Sequence, residues 1–110
     1  MSERFAGVIA RLEATIASRK GADPQSSYTA KLLGGGPDLA AKKFGEEAFE
    51  TAIAAVKGDA DQVAAESADL IYHWLVLMAA SGVDLDAIAA ELERREGTSG
   101  LAEKASRPPS

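Results

Sequence analysis

The chain has 110 residues, 46% of them hydrophobic and 26% charged, with a net charge of −5 and no cysteine. This fits one ordinary globular domain and excludes disulfides and thiolate metal sites. The acidic balance argues against a general nucleic-acid binder, which needs a basic surface.

The opening Met1-Ser-Glu-Arg-Phe-Ala-Gly has no apolar signal core. The longest apolar run, Trp74 to Ala80, falls far short of the ~20 residues that span a membrane. With no cysteine, these features fit a reducing cytoplasm. Only 5% of residues are aromatic, so few large side chains anchor a core. A core this limited is often completed by oligomerisation.

Phe5, Val8, Ile9, Leu12 and Ile16 recur at helical spacing and predict a first helix over about Glu3 to Arg19, capped by Ser2. Gly21-Ala-Asp-Pro24 ends it. Ser26 to Leu33 reads either as an extended segment or as one helical turn. Gly34-Gly-Gly-Pro37 reads as a flexible break, with Asp38 as N-cap. The second long helix is expected from about Leu39 to Lys57, with Gly45 inside it allowing close backbone packing. Gly58 and Asp59 mark a tight turn.

The third helix is expected from Ala60 to Ala80. Glu66, Asp69, His73, Val76 and Leu77 fall near one face, and Leu70, Ile71, Trp74, Leu75 and Met78 spread around the rest. A helix apolar on most sides is buried on most sides. It is therefore central, or shared with a second subunit. Asp84 caps a fourth helix that ends near Gly97, with Leu85, Ile88, Ala89 and Leu92 on one face. The turns near 58 and 82 are short, so their helices should pack antiparallel. No strand pattern appears. The expectation is an all-α, antiparallel, four-helix bundle-like domain over 1–100. A polar tail without helical period follows over 101–110, its last residues disordered.

Two acidic pairs stand out at i, i+3 spacing: Glu47 with Glu50, and Glu66 with Asp69. Residues three apart share a helix face, about 5–6 Å apart at Cβ. A lone pair of this kind is usually a solvated face. The second pair, however, leads into a strongly apolar helix, where solvated acids fit poorly. Four carboxylates from two neighbouring helices suit a hard divalent cation such as Mg2+, which is typically held by carboxylates plus substrate phosphates. A carboxylate not used by the metal can serve as general base for water. Glu46 either joins the cluster or pairs with Lys42 or Lys43. His73 is a hydrogen-bond partner of the acids, a phosphate contact, or more commonly a satisfied buried histidine. Tyr72 and Trp74 read as packing residues. No P-loop, GxGxxG or HExxH motif is present.

Glu46-Glu47-Ala-Phe-Glu50, 15 intervening residues, then Glu66-Ser-Ala-Asp69 resembles the all-α nucleoside triphosphate pyrophosphatase superfamily, which includes MazG-type enzymes and dimeric dUTPases. The flanks are similar to one branch, the phosphoribosyl-ATP pyrophosphatases of histidine biosynthesis. They are Ser27-Tyr28-Thr29-Ala-Lys31-Leu32, Lys43-Phe-Gly-Glu-Glu-Ala, Asp69-Leu-Ile-Tyr-His73, and Arg95 followed by Ser99-Gly100 and Glu103-Lys104. Trp74 and Ser67 depart from the branch pattern, and neither touches the acidic quartet. The resemblance implies Mg2+-dependent cleavage of phosphoribosyl-ATP between its α- and β-phosphates, giving phosphoribosyl-AMP and pyrophosphate. It implies metal ligation by Glu47, Glu50, Glu66 and Asp69, with Glu47 and Glu50 catalytic and Glu46 and His73 nearby. Lys31, Lys43, Arg95 and Lys104 become phosphate contacts, and the chain becomes a homodimer with helices shared across subunits. The rival readings are a house-cleaning nucleotide pyrophosphatase and a non-enzymatic helical dimerisation module.

Overall fold

Short polar side chains start most of the helices. The computed structural model describes residues 2–108, the side chain of Glu103 excepted. Ser2 accepts from the Phe5 N–H at 3.2 Å and caps α1, Glu3–Ser18. Ser27 accepts from Ala30 N–H at 3.1 Å and starts α2, Tyr28–Gly34. Asp59 accepts from Gln62 N–H at 3.1 Å and starts α4, Ala60–Ser81. Asp84 and Ser99 do the same for α5, Leu85–Arg95, and α6, Gly100–Ser106. Each such bond satisfies one of the N–H groups a helix start leaves orphaned.

The helix α3, Gly36–Lys57, begins differently. Only Gly35 separates it from α2, and Pro37 occupies its first turn. The expected flexible break is therefore a tight junction. A Cβ on Gly35 would collide with the Leu39 side chain, and Gly36 sits at φ +73°. Glycine is needed here for shape, and it confers no slack. Asp38 is not the cap; it lies in the first turn, where its charge meets the positive end of the helix dipole.

All elements among the described residues are helical, as expected. α3 and α4 are joined by Gly58 and Asp59 alone, so they run antiparallel and form the main packed pair. α1 lies on α4, and α2 crosses both α3 and α4. The core gathers Ile16 of α1, Leu32 of α2, Ala40 of α3, and Leu75 and Val76 of α4. It occupies the end of the α3–α4 hairpin away from the turn. α2 is thus a full structural helix, with Leu32 only 1% exposed.

α4 passes for a membrane span by length and composition. Here it is the central helix, contacted by α1, α2 and α3. α5 does not pack along α4 as the short connection suggested. It touches the core through Leu85, none of its residues is buried, and its apolar side turns toward Phe5 and Ile9 of α1. The tail expected to lack helical period instead forms α6. The disorder expected at the very end falls on Pro109 and Ser110, outside the described residues.

Candidate metal centre

The hairpin register decides which carboxylates meet. Glu47 on α3 and Glu66 and Asp69 on α4 each offer an oxygen, and these atoms all lie within 4.8 Å of one another. They sit between the core and the turn. Glu47 and Glu66 are half-buried and Asp69 is exposed, so the group opens to solvent on one side.

The arrangement is electrostatically costly when empty of cations. Burial pushes the Glu47 carboxyl above its ordinary range, and Glu50, Asp69 and Glu66 add to the effect while His73 opposes it. Oε2 of Glu47 and Oε2 of Glu66 are buried with no hydrogen-bond partner among the described residues. An unpaired buried carboxylate oxygen loses its hydration without return. The other oxygen of Glu66 accepts from Gln62 Nε2 at 2.7 Å.

Such a donor set fits a hard cation: all oxygens, two of them buried and unsatisfied. Mg2+ takes oxygen ligands and is typically held by carboxylates together with substrate phosphates, so Glu47, Glu66 and Asp69 would hold such an ion.

The other expected residues divide. Glu50 is exposed and outside the trio, yet its charge acts on Glu47. Glu46 pairs with Lys43 at 3.6 Å on the helix surface. His73 is 7% exposed. Its Nδ1 lies 2.8 Å from the Asp69 carbonyl. A carbonyl can only accept, so Nδ1 carries the proton. Nε2 is buried without a partner among the described residues. The rings of Tyr28 and Tyr72 stand roughly perpendicular to the imidazole, with centroids 6.3 and 4.9 Å away. Tyr72 in turn shares a 2.5 Å hydrogen bond with Thr29 of α2.

Lys31 lies exposed on α2. Arg95 donates to Glu91 of its own helix at 3.1 Å, and Lys104 lies on α6. Neither α5 nor α6 packs substantially against α3. Gly45 does not serve close packing, since a Cβ there would meet nothing within 4 Å. Sequence reasoning passed over Gln62. The signal was available, because a glutamine four residues before an acid can hydrogen-bond it along a helix.

Residues 9–96 match the family described as phosphoribosyl-ATP pyrophosphohydrolase. Over 97% of its length the chain is 69% identical to a phosphoribosyl-ATP pyrophosphatase of Caulobacter vibrioides, covering 99% of that protein. It is 68% identical to that of Caulobacter sp. strain K31, across 98% of this chain and 99% of the relative. With that of Dinoroseobacter shibae it shares 64% over 91% of this chain and 98% of the relative.

Proposed function

The chain belongs to the phosphoribosyl-ATP pyrophosphohydrolase family, and on that footing we propose that it hydrolyses phosphoribosyl-ATP between the α- and β-phosphates with Mg2+. The products are phosphoribosyl-AMP and pyrophosphate, and the step belongs to histidine biosynthesis. The observation that carries the metal-dependent reading is the pair of buried, unpartnered oxygens on Glu47 and Glu66, in a trio closed by Asp69.

Glu47, Glu66 and Asp69 would hold the cation, which when bound supplies positive charge for the phosphate oxygens. Glu50, free of the trio and open to solvent, takes the proton of the attacking water. The new P–O bond forms as the α–β bridging bond breaks, and pyrophosphate carries the leaving oxygen. His73 holds its ring fixed through Nδ1, and its charge acts on the Glu47 carboxyl. Lys31, Lys43, Arg95 and Lys104 are the proposed contacts to the polyphosphate, Lys43 exchanging its pairing with Glu46 and Arg95 its pairing with Glu91.

The catalytic unit spans residues 1–100 and works as a homodimer in the cytoplasm, without a membrane or nucleic-acid partner. Phe49 is 67% exposed and Val56 88% exposed on α3. A second subunit covering them would supply the burial that a chain of this length lacks. Pyrophosphate release from phosphoribosyl-ATP, assayed with and without Mg2+, tests the reading. No release with Mg2+ present would overturn it, and turnover of dUTP or dCTP instead would point to a house-cleaning pyrophosphatase.

A further inference from the structure

The three clustered carboxylates are not held alike. Glu66 has one oxygen engaged by Gln62 Nε2 at 2.7 Å and the other buried and unpartnered. Glu47 and Asp69 receive no comparable side-chain hydrogen bond among the described residues. Gln62 sits one turn before Glu66, in the first turn of α4, where its backbone N–H is fixed by the Asp59 cap at 3.1 Å. Only the amide NH2 can donate to a carboxylate, so the orientation of the Gln62 side chain follows from the contact itself.

We infer that Gln62 is a positioning residue for the cation site: its amide pins one oxygen of Glu66 so that the other is presented to the metal. The inference rests on the reading of the acidic trio as a Mg2+ site. The chemistry favours an amide at this position. A lysine or arginine would also orient Glu66, but it would cancel the charge the cation needs. A neutral donor fixes the carboxylate and leaves its charge intact. Partners that orient ligands in this way typically change metal affinity by about 10–100-fold when removed.

Gln62 is exposed, and the cap it receives uses its backbone, so side-chain substitutions leave the helix start in place. Titration calorimetry with MgCl2 alone on wild type, Gln62→Met and Gln62→Asn is the test, with Gln25→Met as a surface control. Gln62→Met removes the donor at similar length, and Gln62→Asn withdraws it by one methylene. Both are expected to weaken Mg2+ binding about 10-fold, with the metal-free Tm unchanged and kcat recovered at saturating Mg2+. Gln25→Met is expected to match wild type. Mg2+ affinity within twofold of wild type in both Gln62 variants would overturn the inference alone. A large fall in their metal-free Tm would also overturn it, by making the residue structural. Failure of wild type to bind Mg2+ would overturn the site reading and this inference together.

Discussion

Glu47 of α3 and Glu66 of α4 bring carboxylate oxygens within 4.8 Å across the hairpin, and each keeps a buried oxygen unpartnered among the described residues. Like charges at about 4 Å repel by roughly 4 kcal/mol at an effective dielectric of about 20, an upper figure for this partly solvated pair. Glu66→Gln is therefore expected to abolish pyrophosphate release while leaving the metal-free protein as stable as wild type, or a few degrees more so. Paired activity and melting measurements check this; an active Glu66→Gln would remove Glu66 from the chemistry.

Metal binding to the fold alone must stabilise it by mass action. At a Mg2+ concentration 100 times Kd the gain is about 2.7 kcal/mol. At about 4–8 °C per kcal/mol for a small domain, the Tm of wild type should rise by roughly 10–20 °C and return on adding EDTA. Glu47→Gln should show little of this rise. Thermal scans across a Mg2+ series give the answer.

Leu32 carries the packing of α2 into the core. Truncating a buried leucine costs about 2–5 kcal/mol through lost burial and the residual cavity. Leu32→Ala is expected to lower the unfolding free energy by that amount, read from the shift of the urea midpoint multiplied by the m-value. A cost under about 1 kcal/mol would mean that α2 is only loosely attached, on the same scale.

The Thr29–Tyr72 hydrogen bond ties α2 to α4 one residue before His73. Tyr72→Phe keeps the ring and deletes the hydroxyl, for an expected loss of about 1 kcal/mol. A double-mutant cycle with Thr29→Val should return a coupling energy of similar size. Zero coupling would show the two side chains acting independently.

On α5, hydrogen bonds from Arg94 and Arg95 hold the Glu91 carboxyl down to about 2. A carboxyl depressed in the fold stabilises it above the unfolded value, near 4.5, and loses that contribution as pH falls from there toward 2. Glu91→Gln should accordingly lower the Tm slightly at neutral pH, and the difference should close over that acid range. The groups are exposed, so added salt should shrink the effect. Melting curves against pH at two ionic strengths test both statements.

α1 and α4 were readable because apolar residues recur along them and Ser2 and Asp59 cap them; α3 has no polar cap, and the glycines before it displaced its expected start. α2 was harder. Seven residues are too few to display a period, and its helicity rests on Leu32 reaching a core assembled from α1, α3 and α4. The glycines at 34–36 look alike in sequence, yet Gly35 is demanded by the Leu39 side chain and Gly36 by its backbone angle. The acidic residues announced a site because two pairs recur on neighbouring helices. Which three converge depends on the rotation of α3 against α4, which no local pattern encodes. That is why Glu50, the sequence neighbour of Glu47, lies outside the trio; the Gln62–Glu66 contact, by contrast, is an i, i+4 pair along α4 that local spacing does encode.

The two-residue link of Gly58 and Asp59 fixes that rotation. It acts as a phase setting for the hairpin: one added residue that extended α4 at its start would turn everything beyond by about 100° and slide it about 1.5 Å. Glu66 and Asp69 would then swing away from Glu47 while every side chain of the site remained chemically intact. The length of this link is thus as much a determinant of the site as any of its carboxylates, and swapping loops between relatives should preserve it before anything else.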